Sequence, residues 1–316
     1  MSSTVTPRIE FTPPRFDEAS AATLARERFG IAGRASTLPS ERDQNFAIET
    51  STGDRFVLKL SHAEEQRQNL ECQDLVLETL ARADTGYTFP RAIAARAGER
   101  IVSVPARRGV THHARMMCWV PGMPLARVRP HTPELLHELG AMLGKVDRAL
   151  ASIAHPAAQR VLKWDLRHGV DIVERNAGWV TDRARRALIE RFLRGVRAAA
   201  PALALLRTAV IHGDANDHNV LVTATGDDPL RPRSVTGLLD FGDLVHSWVV
   251  AEPAIAAAYA MLDRADPLAS ATHVVRGYHS ANPLDEAELD VLYPLICLRL
   301  CTSVVLSAES ARRHPT

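Results

Sequence analysis

The stretch Ile211-His212-Gly213-Asp214-Ala215-Asn216-Asp217-His218-Asn219 carries more polar chemistry than any other part of this 316-residue chain. Apolar runs flank it, Val210-Ile211 before and Val220-Leu221-Val222 after, so it reads as a polar loop between two short strands. Within it a carboxylate, Asp214, and a carboxamide, Asn219, stand five positions apart. Farther on, Leu238-Leu239-Asp240-Phe241-Gly242-Asp243 places another carboxylate at a strand end. Gly242 lets the chain turn away there, and Phe241 is set to pack beneath. An aspartate before a turn is, taken alone, most often a cap or an Asx-turn. Two of them in this order, each closing an apolar strand, point to one assembled site. His212 reads as a brace for its loop, and Asp217 and His218 as loop hydrogen-bonding groups.

Upstream of the loop, Asp17 to Phe29 reads as a helix, with Asp17 as N-cap and Gly30 at C′. Strand-like segments Asn45 to Thr50 and Arg55 to Leu60 flank the turn Ser51-Thr52-Gly53-Asp54, a hairpin pattern. A helix follows from about Glu64 to Ala83, with Leu70, Val76, Leu77 and Leu80 on its apolar stripe. Strands around Arg100 to Pro105 and His113 to Trp119 end at Val120-Pro121-Gly122, where the pattern breaks. The lobe boundary is therefore expected there, giving 1–120 and 121–316. Beyond it, helices are expected over Thr132 to Ala154, Thr181 to Ala199, His246 to Leu262, Pro267 to Ala281 and Asp285 to Arg312, with the short β segments between. The plan is α+β: a β-rich N-terminal lobe with one long helix, then a mainly helical lobe. It lacks the regular β–α alternation of a doubly wound sheet.

Composition sets outer limits. With 46% hydrophobic and 24% charged residues, the chain can bury a sizeable core. Its 38 basic and 37 acidic residues leave a formal charge of +1, which argues against a nucleic-acid partner, whose phosphates need a concentrated basic excess. Met1 to Pro14 lacks the apolar core of a signal peptide, and no apolar run is read as reaching the ~18 residues of a membrane span. Cys72, Cys118, Cys297 and Cys301 are too sparse for a disulfide framework. Cys297 and Cys301, four apart on a helix, read as buried thiols, with a zinc site as the weaker alternative. The expected compartment is cytoplasmic.

Asp, four residues, Asn and then a distant Asp-Phe-Gly is the arrangement the kinase template requires. In that chemistry Asp214 orients an acceptor hydroxyl and takes its proton, while the hard oxygens of Asn219 and Asp240 suit Mg²⁺. The template also asks for a cation on the phosphates. Lys59 in Val57-Leu58-Lys59-Leu60 answers it, although a lysine in a strand often simply faces solvent. Glu71, near the middle of the following helix, is the favoured partner for Lys59 over Glu64 and Glu65, which sit at the helix start. No G-x-G-x-x-G or Walker A sequence is present. The loop Pro39 to Phe46 stands in its place, either meeting phosphates through backbone N–H groups, Ser40 and Arg42, or serving as a solvated hairpin tip. That absence, with no A-P-E after Asp240, points away from protein kinases.

Together these residues resemble the aminoglycoside phosphotransferase superfamily, the small-molecule branch of the kinase fold. Within it the chain looks most like the hydroxylysine kinase branch. His212 to Asn219, Gly237 to Asp243 with Glu252 after it, and Leu292 to Val305 carry the likeness, with Ser40 to Phe46 and Val57 to Leu60 in support. The resemblance implies a two-lobed kinase fold, ATP or GTP as phosphoryl donor, Mg²⁺, and a small hydroxylated amine or amino acid as acceptor. It gives Lys59 to the triphosphate with Glu71 supporting it, and Met117 to Val120 to the nucleobase. Relatives of this type also occur fused to an aminotransferase-like domain, which this chain lacks, so a free-standing form or an excised piece is expected.

The acceptor pocket is expected in the helical lobe, with Trp164, Asp165, His246 to Trp248 and Arg299 as its candidates. Arg299 lies among Leu295, Ile296, Leu298 and Leu300 and has two readings. It pairs with a substrate carboxylate, or it forms an internal salt bridge with Asp285 or Glu286. Trp164 reads equally as core. An acidic pocket would indicate an aminoglycoside-like polycation, and choline- or homoserine-type acceptors belong to the same class. A non-catalytic nucleotide-binding module is the reading from another class, and the intact Lys59, Asp214, Asn219 and Asp240 weigh against it.

Overall fold

Asp17 accepts a hydrogen bond from the Ser20 N–H at 2.7 Å. The helix it caps, α1 (Glu18–Leu24), widens into a π turn ending at Phe29, and Gly30 closes it at φ 76°. The computed structural model describes residues 13–40, 42–106, 109–223 and 233–313. Residues 1–12 of the polar N-terminal stretch, and Glu41 of the loop over Pro39 to Phe46, lie outside them. The chain forms two compact units, Met1–Glu78 with Pro90–Val120, and Thr79–Phe89 with Pro121–Thr316.

In the first unit come β1 (Arg34–Leu38), β2 (Gln44–Glu49) and β3 (Arg55–Leu60), then α2 (Arg67–Arg82, whose last turn from Thr79 is counted with the second unit), β4 (Ala92–Ile93), β5 (Val102–Pro105) and β6 (Thr111–Cys118). The strands form an antiparallel sheet in the order β1-β2-β3-β6-β4, with β5 also paired to β6. The β2–β3 hairpin runs in register from Gln44↔Leu60 to Glu49↔Arg55, closed by the expected turn. Strand alternation sorts the faces. Phe46, Ile48, Leu58 and Leu60 enter one core with Val102 and Met116, and Lys59, between two core leucines, points to the opposite face. On α2 the stripe of Leu70, Val76, Leu77 and Leu80 is buried.

In the second unit β7 (Met123–Pro124) precedes α3 (Pro133–Leu150), α4 (Gly169–Asn176), α5 (Arg183–Ala198) and α6 (Ala200–Leu203). Next come β8 (Thr208–Ile211), β9 (Val220–Val222), β10 (Val235–Leu238) and β11 (Val245–Trp248), then α7 (Ala251–Ala260), α8 (Pro267–Ala281) and α9 (Glu286–Arg313). Thr132 caps α3 by accepting from the Leu135 N–H at 3.3 Å. The short strands make two small sheets, β10-β9-β7 and β11-β8. Helices α3 and α8 approach at glycines. A Cβ on Gly140 would run into the Val274 carbonyl oxygen, and one on Gly277 into that of His137, so no side chain fits at either position.

Two expectations need correction, and one helix was not foreseen. His246 to Trp248 is strand, because it pairs with β8 (Val245↔Ile211, Trp248↔Thr208), and the helix starts only at Ala251. The short helix α4 is not apparent in the sequence, since its eight residues bury only Gly169 and Val173. Finally, α9 does have the length and apolarity to cross a membrane, as Arg299 is the one charge between Val291 and Ser307. Most of its apolar window is buried within the protein. Cys297 and Cys301 are free and buried, and burial pushes the Cys301 thiol up to about 12.

Candidate active site

The loop that leaves β8 is shaped by His212 and Gly213. His212 is fully buried. Its Nε2–H donates to the Leu239 carbonyl at 2.8 Å, and its Nδ1 accepts the Asp214 N–H at 3.2 Å. One imidazole thus ties the backbone at Asp214 to the residue just before Asp240. Phe241 meets that ring edge-on at 4.8 Å, and Phe89 meets Phe241 at 6.2 Å. Gly213 adopts φ 77°, and a Cβ there would lie 3.0 Å from the Asp243 carbonyl oxygen, so both conformation and space require glycine. Its N–H donates to Glu252 Oε2 at 2.8 Å.

Asp214 is thereby presented with its carboxylate half-buried and held on both oxygens. Oδ1 accepts from Arg299 Nη2 at 2.9 Å, and Oδ2 accepts from the side-chain amides of Asn216 at 2.9 Å and Asn219 at 3.1 Å. Burial pushes the Asp214 pKa up, Arg299 and His212 hold it down, and Asp243 adds a smaller upward push. Glu252 and Asp147 are both fully buried behind this loop and raised mainly by burial, Asp147 further by the Glu252 charge. Tyr278 donates to Asp147.

Asn219 turns its Nδ2 toward Asp214, donating also to the Asp214 carbonyl at 2.9 Å, which leaves its Oδ1 for another partner. Its own carbonyl accepts from the Leu239 N–H at 2.8 Å, extending the β9–β10 register by one rung past Val220↔Leu238. Asp240 is the next residue. It is exposed, holds φ 56°, and accepts from the Gly242 N–H at 3.2 Å. A non-glycine residue at such a φ is uncommon. Arg160 ties down the turn beyond, donating to the carbonyls of Gly242 and Leu244. An amide oxygen and a carboxylate are hard donors, which fits Mg²⁺, an ion that completes its shell with water and phosphate oxygens. Among the described residues no three His, Cys, Asp or Glu side chains form a closed metal cage.

Arg299 is 1% exposed. It donates to the Trp164 carbonyl at 3.0 Å and the Tyr259 hydroxyl at 3.1 Å, and its guanidinium lies 4.7 Å from the Trp164 ring and 5.4 Å from that of Tyr259. The expected internal pair with Asp285 or Glu286 is not the one formed. Asp285 instead exchanges capping bonds with Glu288, which is buried on Arg207. Asp165, named for the acceptor pocket, is buried. Its Oδ1 takes the Ser247 hydroxyl and the Arg167 N–H, and it caps the turn Leu166–His168. His246 is in β11, its carbonyl held by Arg167 at 3.2 Å. Asp217 and His218 join the loop through backbone, the Asp217 carbonyl to Ala126 N–H and the His218 N–H to Asn216 Oδ1.

In the first unit, Lys59 is half-buried on β3 opposite Arg115 of β6. Glu71 does not face the sheet. It is exposed and pairs with Arg67 at 2.9 Å, because it shares its helix face with Arg67, Leu75 and Arg82, all exposed. The helix carboxylate that reaches the sheet is Asp74, bound to Arg115 at 3.0 Å. Ser40 is exposed in the β1–β2 loop, and Met117 and Val120 are buried at and beyond the end of β6. Tyr259, Arg160 and Asp74 were not evident from the sequence. Tyr259 sits in an alanine-rich helix, and the other two bond to residues far along the chain.

Residues 34–292 match the model of the phosphotransferase enzyme family. Hydroxylysine kinase of Mus musculus is 30% identical over 326 residues, covering 96% of this chain and 84% of its own. That of Bos taurus is likewise 30% identical, over 328 residues, 96% of this chain and 85% of its own. Among solved structures, an amicoumacin kinase in complex with AMP-PNP and Ca²⁺ superposes with a TM-score of 0.70 at 15% identity, covering 93% of this chain and 87% of that one. A microcompartment-associated aminopropanol kinase gives 0.69 at 19%, covering 94% and 98%. The two-lobed kinase-like fold is shared with these enzymes, and on the family match and the relatives at 30% identity the chain belongs to the phosphotransferase enzyme family.

Proposed function

We propose that the protein transfers the γ-phosphoryl group of ATP or GTP to a hydroxyl of a small amino alcohol or amino acid, with 5-hydroxylysine the first acceptor to test. The observation that carries this is the carboxylate of Asp214, held from both oxygens and a short ladder step from Asp240. Phosphoryl transfer needs little covalent help from a protein and much positioning and charge neutralisation. Asp214 orients the acceptor hydroxyl and receives its proton. Asn219 Oδ1 and the Asp240 carboxylate would hold Mg²⁺, which when bound would neutralise charge on the phosphates. Lys59 is assigned to the triphosphate, Ser40 to the phosphate loop, and Met117 and Val120 to the nucleobase. Glu71 is withdrawn as the partner of Lys59, given its exposed position on Arg67. Trp164 stays beside the acceptor by its contact with Arg299. The choice of acceptor class draws support from the hydroxylysine kinases among the relatives and from the guanidinium next to the reacting carboxylate, which does not suit a polycationic acceptor.

The test is a phosphorylation screen of amino alcohols, amino acids and aminoglycosides with ATP and GTP in parallel. Transfer to an amino alcohol or amino acid is expected. Transfer to aminoglycosides alone, or to nothing, would refute the acceptor class. Asp240→Ala is expected to abolish Mg²⁺-dependent nucleotide binding, measured by calorimetry with and without the metal. Unchanged binding would remove Asp240 from the metal site.

A further inference from the structure

The satisfaction of Asp214 is lopsided. An ionised carboxylate offers about four lone-pair positions, two on each oxygen. On Oδ2 both are taken, by the amides of Asn216 and Asn219. On Oδ1 one is taken, by Arg299. Among the described residues one position is left, and it lies on the oxygen that carries the arginine. We propose that Asp214 Oδ1 is the atom that accepts the acceptor hydroxyl's proton, and that Arg299 is the positioning residue that aims it. This rests on the reading of Asp214 as the base.

Arg299 suits that task better than substrate binding. It is buried to 1% exposure, whereas the Asp214 side chain is 24% exposed, so the pair opens to its surroundings through the carboxylate. Three of its five N–H donors are fixed, on the Trp164 carbonyl, the Tyr259 hydroxyl and Asp214 itself, and its Nε is buried. Two aromatic rings flank it, a setting for a planar, delocalised cation. At 1% exposure the guanidinium presents no open edge to a substrate carboxylate. Arg299 projects from α9, Tyr259 from α7, and Trp164 precedes the turn Leu166–His168, so three segments converge to hold one side chain. The loop alone fixes only Oδ2. Without Arg299 the carboxylate can swing about Oδ2, and the accepting oxygen loses its aim.

Steady-state kinetics with MgATP and 5-hydroxylysine on Arg299→Lys, Arg299→Met and Tyr259→Phe test this, with thermal melts to establish folding. A point charge on a flexible stem cannot span all three partners, so Arg299→Lys should lose about tenfold in kcat and Arg299→Met about 10²-fold, the scale of a misplaced reacting group. The acceptor KM should stay within about threefold, and Tyr259→Phe should show a smaller loss of the same kind. A rise in acceptor KM with kcat kept would make Arg299 an acceptor-binding group and overturn the proposal. Unchanged kinetics in the folded lysine and phenylalanine variants would also overturn it. A crystal structure of Arg299→Met or, if that variant does not fold, of Arg299→Lys gives a readout that needs no turnover. The Asp214 carboxylate should rotate about Oδ2, and an unmoved carboxylate counts against the proposal even if no acceptor is phosphorylated. Failure of the base reading looks different, since Asp214→Asn would then retain full turnover.

Discussion

In the first unit Arg115 meets Asp74 at 3.0 Å with side chains 5% and 10% exposed, and in the second Arg299 meets Asp214 at 2.9 Å with side chains 1% and 24% exposed. Both are arginine–aspartate pairs in which the guanidinium is buried, and in both burial pushes the carboxyl pKa up while the arginine holds it down. They differ at the carboxylate. Asp74 is enclosed and shares its arginine with Gln73, so the pair joins α2 to β6. Asp214 keeps an opening and an unfilled position on Oδ1. A buried pair is weak evidence of net stabilisation, although breaking one by removing a partner is costly. The same two residue types therefore serve as a fastening where both ends are closed, and as a mounting for chemistry where the carboxylate is left partly open.

The comparison can be broken most sharply at Asp214. Asp214→Asn keeps an acceptor for Arg299 but removes the basicity, and turnover per folded molecule should fall about 10²–10⁴-fold, whatever stability is lost with the counter-charge. Full turnover in a rapid-quench or coupled assay would end the distinction. Asp74→Ala should do the reverse, leaving the Arg115 guanidinium buried without its counter-charge. A loss of about 3–5 kcal/mol in denaturant unfolding is expected, with turnover per folded molecule largely kept. If the two variants gave the same pattern, the openness of the carboxylate would mean nothing.

The smallest effect concerns a third charged group, His62, 5% exposed in the first unit. Burial alone would lower its pKa, but Glu65, Asp43 and Glu64 outweigh it and the net direction is upward. A raised histidine pKa stabilises the fold fully below about pH 6.5, and that contribution disappears as pH rises through the folded value. A tenfold gain in proton affinity on folding corresponds to about 1.4 kcal/mol. The melting advantage of the wild type over His62→Gln should therefore shrink from pH 6 to pH 9. An advantage independent of pH would show that His62 acts by packing alone.

The loop around Asp214 was legible because its polar residues are local in sequence. Asp214, Asn219 and Asp240 sit at the ends of short apolar runs, whereas the irregularity between Val235 and Gly237 in the β9–β10 pairing is not readable from those runs. The partner of Arg299 was not legible, because it lies 85 residues away, and an arginine in an apolar helix says only that some acceptor must meet it. Glu71 failed for a related reason. Several faces of α2 carry polar residues, and the midpoint of a helix does not say which face meets the sheet. At His246 to Trp248 a strand too short to show clear alternation runs into alanine-rich helix, so pairing with β8 decided what periodicity could not.

His212 ties the backbone at Asp214 to that just before Asp240, and it does so from a fully buried position. Oδ1 of Asp214 is held by Arg299 from α9, and α7 reaches both sides, with Glu252 on the Gly213 N–H and Tyr259 on the Arg299 guanidinium. A lineage that keeps His212, Gly213, Glu252 and Arg299 can therefore rewrite the positions around them while the mounting of the carboxylate is passed on unaltered.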